Sequence, residues 1–322
     1  MSRIVVAGAG AWGGWIALHL RRAGHAVTLV DPWGPGNARA SSGDESRIVR
    51  ANYGAASHYV GMAVRALALW REFELAENVE LIRRCGLLWM DHGRDEANRA
   101  SLSLMRDAGV AFKELSPAEL HRRYPQINPD GIAFAILEPD AGYAFARRAC
   151  REVFAAFLRA GGGYVRAAVQ PVNGGGDSIQ SVSLSDGSVL SADAFVFACG
   201  SWLPHVLPNV LSGLIRPTRQ EVFYFGESAE SNAFSDDAMP AWIDFAESIW
   251  YGSAGNESRG FKIGDDARGA ETDPTTQSRV PTEAMIRKTR EYAAHRFPAL
   301  ADAPILESRV CQYENSPDND FI

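Results

Sequence analysis

Residues Gly8-Ala9-Gly10-Ala11-Trp12-Gly13 directly follow the β-branched run Arg3-Ile4-Val5-Val6-Ala7 and open a stretch of helix formers from Ala11 to Ala23. A G-x-G-x-x-G pattern carries physical meaning in this order of strand, turn and helix, because the turn then presents backbone amides to an anion at the helix N-terminus. Gly8 permits the tight turn, Gly10 lets a pyrophosphate approach the backbone, and Gly13 allows the helix to pack closely on the sheet. Ala9, Ala11 and Trp12 complete the same cofactor-binding turn. Gly24 is placed to end the helix, and Ala26-Val27-Thr28-Leu29-Val30 forms a second buried strand, so the segment reads as a βαβ unit with parallel strands. Asp31 then stands where a carboxylate accepts the ribose hydroxyls of an adenosine, which disfavours a 2′-phosphate and argues against NADP. The motif alone fits FAD and NAD equally.

The chain has 322 residues, 46% apolar and 22% charged, enough for a large core or for two domains sharing one ligand. No run approaches the roughly 18 apolar residues of a membrane span, and Met1 leads into Ile4-Val5-Val6 without the basic start of a signal peptide, so a cytoplasmic protein without a membrane partner is expected. A formal charge of −7 argues against nucleic acid, which needs a basic face. The four cysteines, Cys85, Cys150, Cys199 and Cys311, are scattered and form no CxxC pair, which points to neither a disulfide framework nor a metal site. Only three lysines occur, Lys113, Lys262 and Lys288, so the placing of each is informative.

Helical patterns recur at about 58–77, 95–108, 117–124, 145–160 and 281–296, with strand-like runs at 86–91, 179–184, 194–198, 221–226 and 248–252. Gly161-Gly162-Gly163 and Gly174-Gly175-Gly176 read as turns around a strand from Tyr164 to Val172. Mixed elements behind an α/β start predict an α/β chain, α+β overall, in which a Rossmann domain is interrupted by a second, more antiparallel domain.

Four further motifs separate the cofactors. Ser41-Ser42-Gly43-Asp44-Glu45-Ser46-Arg47-Ile48-Val49-Arg50, Phe197-Ala198-Cys199-Gly200-Ser201-Trp202, Ile249-Trp250-Tyr251-Gly252 with Lys262 eleven residues after the tyrosine, and Arg309-Val310-Cys311-Gln312-Tyr313 occur in that order. Together they resemble the sarcosine oxidase and N-methyltryptophan oxidase family within the D-amino-acid oxidase superfamily of FAD enzymes. The Ser-Pro-Asp turn and Phe321-Ile322 match as well. The resemblance implies an FAD-binding domain at 1–84 and 145–213, and a mixed, largely antiparallel substrate domain at 85–144 and 214–316. It places Ser41, Ser42, Arg47, Val172, Ala198, Gly200 and Trp202 at the FAD, Cys311 in a covalent link to the flavin, and Arg50, Tyr251 and Tyr313 around the substrate. Lys262, with Arg47 near the flavin ring, would be catalytic: its ammonium would stabilise negative charge developing on O₂. A surface lysine is the plainer alternative for Lys262, as a buried packing role is for Cys311. Spacing would put Arg47 and Arg50 on one side of a helical turn.

The implied reaction is oxidation of a secondary or tertiary amine, an N-substituted amino acid, to an imine, with O₂ reduced to H₂O₂. Alternatives are a flavin dehydrogenase with another acceptor, an NAD-dependent dehydrogenase, and an inactive FAD-binding fragment. Two departures matter. Asp266 stands four residues after Lys262, where sarcosine oxidases carry histidine, which argues against sarcosine itself. The family also continues beyond the point matching Ile322, through a last strand and a glycine-rich turn, so a truncated chain is expected.

Overall fold

The computed structural model describes residues 1–94, 97–172, 178–227 and 231–321. The glycine turn expected at 174–176 and Ile322 lie outside the described residues.

Two sheets carry most of the chain. The first is a four-stranded parallel sheet in the order Ala194–Phe197, Arg3–Ala7, Ala26–Val30, Gly163–Val165. Its strands are short and β-branched or aromatic, and the helices Ala11–Arg22 and Ala146–Arg159 pack on it through Ala17, Leu18, Val153 and Phe157. The expected strand–helix–strand start is present, with Gly24 in the left-handed region at φ +91° just past the helix end. The strand expected from Tyr164 to Val172 stops at Val165. Beyond it only Val169 makes an isolated bridge, to Leu184, while Val172 is tied by its N–H to the carbonyl of Val206 at 2.8 Å.

The second sheet has eight strands, in the order Ile305–Asn315, Arg216–Phe225, Phe261–Asp265, Ile249–Ser253, Ala241–Phe245, Leu87–Asp91, Phe134–Glu138, Lys113–Leu115. All neighbours are antiparallel except Ala241–Phe245 beside Leu87–Asp91. Side chains alternate across a strand, so the register sorts this sheet into two faces. Trp242, Trp250, Phe261, Ile263, Phe223 and Phe225 lie on one face and form a dry core with Ala293, Phe297 and Leu300 from the helix Glu283–Arg296 and the turn after it. Burying a side chain of this size is worth about 1.5–3 kcal/mol, so this face anchors the sheet. The opposite face carries Glu138, Trp89, Tyr251, Lys262, Arg309, Cys311 and Tyr313.

A small third sheet covers part of that second face: Ser46–Val49 and Ile82–Arg83 pair antiparallel with Gly142–Phe145. This corrects the expectation for Arg47 and Arg50. The β-branched Ile48-Val49 pair takes its hydrogen bonds from Gly142 and Tyr143, so the segment is a strand and not a helical turn. An odd spacing on extended chain then sends the two arginines to different surroundings. No helix of the described residues is long and apolar enough to cross a membrane.

Candidate active site

The glycine turn is built as its sequence requires. Gly8 has φ +103°, and a Cβ on it would lie 2.2 Å from the carbonyl oxygen of Ala198; a Cβ on Gly13 would lie 1.7 Å from the oxygen of Gly8. Helix, turn and the end of the Ala194–Phe197 strand thus touch backbone to backbone. The helix Ala11–Arg22 begins at Gly10 with no side-chain cap and no acidic residue in its first turn, apart from a 3.3 Å bond from the Ala11 N–H to Ser42 Oγ. Its first amides therefore face outward with nothing to repel an anion. Trp12 is 60% exposed beside them, and Ala9 is buried beneath. Asp31 is buried. Its Oδ2 accepts from Ala9 N at 2.9 Å, and its Oδ1 from Trp33 N and Gly34 N at 2.8 and 2.6 Å, so the carboxylate ties the glycine turn to the 31–34 bend.

Ser41 and Ser42 lead from this turn to the second cluster. Ser42 lies against Gly10, while the Ser41 carbonyl accepts from Arg47 and from the Cys311 thiol at 3.8 Å. The Ser41 hydroxyl and Ser201 Oγ both donate to Glu314 Oε1, beside Gly200 at φ +53°. The Trp202 ring meets Trp33 at a tilt, 4.9 Å between centroids, and donates from Nε1 to Thr275. Residues from four separate sequence motifs are therefore contiguous here.

Arg47 Nη2 stands 3.6 Å from Cys311 Sγ. Burial pushes the Cys311 thiol above its ordinary value, and the Arg47 guanidinium draws it back. Cys150 is buried on its helix, and Cys85 and Cys199 are half-buried at strand ends, with thiols raised by burial to about 11 and about 12 respectively.

Lys262 is 2% exposed, which removes the surface alternative. Its Nζ donates to Asp44 Oδ2 at 2.5 Å, to Ser46 O at 2.9 Å and to Ser46 Oγ at 3.4 Å. Asp44 also accepts from Arg47 Nη1 at 2.5 Å and from Tyr224 OH at 2.9 Å. Burial raises the Asp44 carboxyl, yet Lys262 and Arg47 outweigh it and hold the group well below the usual carboxylate range. Lys262 and Arg47 share this one carboxylate; burial lowers the Lys262 ammonium below its ordinary value, Asp44 opposes that shift and Arg47 adds to it. The Tyr251 ring lies 5.7 Å from Lys262 Nζ and rests on Gly264, where a Cβ would come within 2.8 Å of it. Tyr313 OH is 3.3 Å from the Tyr251 hydroxyl and donates to Asp266 Oδ1 at 2.8 Å. Asp266, the residue marked as a departure, thus sits at the exposed end of a chain of hydroxyls.

Arg50 points elsewhere than Arg47. Its guanidinium lies over Tyr53 at 4.6 Å and Trp89 at 5.0 Å, and among the described residues it forms no hydrogen bond or ion pair.

Residues 3–322 match the family described as FAD dependent oxidoreductase. The chain belongs to that family. Similar proteins include the monomeric sarcosine oxidase of Bacillus sp. (strain B-0618), 26% identical over 328 residues that take in 99% of this chain and 82% of that protein. The N-methyl-L-tryptophan oxidase of Yersinia pestis (strain Pestoides F) is 24% identical, with 99% of this chain and 85% of that one aligned. The solved L-proline dehydrogenase of P. horikoshii shares the fold, with a TM-score of 0.81 at 20% identity over 98% of this chain and 82% of that one. The uncapped helix N-terminus and the close-packed glycines fit the pyrophosphate of FAD.

Sequence reasoning did not single out Asp44, Tyr224, Trp89 or Glu138. Asp44 lies inside a quoted motif, but its partners Tyr224 and Lys262 are 180 and 218 residues away, so only the sheet register reveals it.

Proposed function

We propose that the protein oxidises a secondary or tertiary amine, an N-substituted amino acid, to an imine that water then hydrolyses. Bound FAD supplies a two-electron acceptor for the hydride equivalent leaving the carbon next to nitrogen, and its reoxidation by O₂ gives H₂O₂. The observation that carries this reading is the burial of Lys262 with Asp44, beside the half-buried Arg47, against the sheet face that also bears Tyr251, Cys311 and Tyr313.

Gly8 to Gly13 hold the pyrophosphate, and Asp31 holds the ribose through lone pairs its amide donors leave free. Ser41, Ser42, Ala198, Gly200, Trp202 and Val172 border the same cofactor. Arg47 stabilises the Cys311 thiolate at 3.6 Å, which favours a thioether to the flavin edge. Burial works against the Lys262 ammonium and Asp44 supports it; in its protonated form Lys262 stabilises the negative charge that develops on O₂, an effect enlarged where water is excluded. Arg50 takes the substrate carboxylate as a bidentate partner, with Tyr251 and Tyr313 walling the cavity. Asp266 adds a negative charge at the cavity rim, which weighs against sarcosine and for a substrate with a further polar or cationic group.

We read 1–84 with 145–213 as the FAD-binding part and 85–144 with 214–316 as the substrate part. In support, the four-stranded sheet draws all its strands from the first set and the eight-stranded sheet from the second.

The test is peroxide production. A panel of N-methyl amino acids and simple amines should give H₂O₂ in step with amine consumed; amine oxidation without peroxide would turn the reading toward a dehydrogenase.

A further inference from the structure

Glu138 ends the strand Phe134–Glu138, is only 2% exposed, and takes no part in the chemistry above. Its Oε2 accepts from Ala51 N at 2.9 Å, and its Oε1 accepts from Trp89 Nε1 at 2.6 Å and from Asn52 N at 3.4 Å. Ala51 and Asn52 are the two residues after Arg50, and Trp89 is one of the two rings over which the Arg50 guanidinium lies. One buried carboxylate therefore fixes both the backbone that launches Arg50 and the aromatic plane that orients it. Stacking on Trp89 and Tyr53 sets the guanidinium without consuming its N–H donors, which stay available to a ligand. Burial raises the Glu138 carboxyl, while the donors from Ala51, Trp89 and Asn52 and the charge of Arg50 oppose that rise.

We infer that Glu138 is a positioning residue for carboxylate recognition: through Ala51, Asn52 and Trp89 it holds Arg50 ready for the acid group of the substrate. The inference rests on the proposed role of Arg50. The chemistry calls for a carboxylate and not an amide, because every group aimed at either oxygen is a donor. In Glu138→Gln the new NH₂ must face a donor from Ala51, Asn52 or Trp89, which displaces Arg50 or its ring.

Betaine carries the acid group on a quaternary nitrogen with no lone pair to oxidise, and tetramethylammonium carries the cation without the acid. Calorimetric titration of both into the flavin-loaded protein separates acid recognition from general damage. Arg50→Ala should abolish the preference for betaine. Glu138→Gln should weaken betaine by about tenfold or more and leave tetramethylammonium unmoved, since a displaced charge-assisted pair loses at least that much. In the Arg50→Ala background, Glu138→Gln should add no further loss of betaine. Trp89→Phe keeps an aromatic plane but removes one donor to Glu138, and it should weaken betaine in the same direction even where Glu138→Gln folds poorly.

Unchanged betaine binding in Arg50→Ala would remove the Arg50 reading, and this inference with it. Loss in Arg50→Ala combined with equal losses of both ligands in Glu138→Gln, or with additive losses in the double variant, would overturn the Glu138 inference alone.

Discussion

Lys262 Nζ and Asp44 Oδ2 meet at 2.5 Å with both side chains no more than 3% exposed, and Arg47 shares the same carboxylate oxygen at 2.5 Å. Sequestering an ion pair is costly unless every member is satisfied. Here Ser46, Tyr224 and the Glu45 amide complete the set. The pair ties the eight-stranded sheet to the segment that follows the glycine turn and its second strand.

Asp44→Asn should strand the buried Lys262 and leave the half-buried Arg47 without its partner, lowering the free energy of unfolding by about 3–5 kcal/mol in a urea titration. Adding Lys262→Met should restore part of that loss by removing the unpaired ammonium. The carboxyl of Asp44 is depressed in the folded state, so its contribution is present above the ordinary value of 3.8 and is lost as pH falls through the lower, folded-state value. Asp44→Asn should therefore flatten the acid limb of the stability profile. A loss below about 1 kcal/mol would show the pair to be no better than a surface contact.

Cys311→Ala should release the flavin on acid precipitation, whereas the unaltered protein should keep its colour in the pellet. Cys85→Ala, Cys150→Ala and Cys199→Ala should retain the colour, because among the described residues Cys311 alone of the four thiols is in contact with Arg47. Free flavin from the unaltered protein would rule out the covalent link.

Asp31→Asn keeps the size of the side chain but places an NH₂ against at least one of the amides of Ala9, Trp33 and Gly34. The expectation is weaker FAD binding together with a loss of about 1–3 kcal/mol of stability. The structure thus predicts more damage than a simple ribose contact would, since the same carboxylate holds the turn. Equilibrium dialysis with FAD in the Cys311→Ala background, where the flavin can exchange, and a thermal melt read the two effects separately. An affinity equal to that of Cys311→Ala alone would remove Asp31 from the cofactor site.

The parts legible in the sequence are those coded by local spacing. Gly8 and Gly13 announced the turn because only glycine fits where Ala198 and the Gly8 carbonyl crowd the backbone. Tyr251 and Lys262 are reached through the family resemblance, and the register of their adjacent antiparallel strands places both side chains on one face. Arg47 and Arg50 misled because an i, i+3 spacing fits a helix as readily as it fits a strand and the loop beyond it, and the deciding partner, Gly142–Phe145, is remote in sequence. Asp44 and Glu138 were silent for the same reason. A buried carboxylate is defined by who donates to it, and here the donors come from Tyr224, Lys262, Ala51 and Trp89. The strand expected through Val172 failed because its pairing partner ends early, leaving Val169 a lone bridge.

Stopped-flow measurement of the two half-reactions, in the unaltered protein and in Lys262→Met, bears most directly on the proposed oxidase. An N-substituted amino acid mixed without oxygen should bleach the flavin in both proteins at similar rates. O₂ should then restore the colour rapidly in the unaltered protein, and more slowly by orders of magnitude in Lys262→Met, because the ammonium is needed mainly in that transition state. Flavin that no N-substituted amino acid reduces would contradict amine oxidation, and an undiminished O₂ rate constant in Lys262→Met would contradict the role given to the buried Lys262.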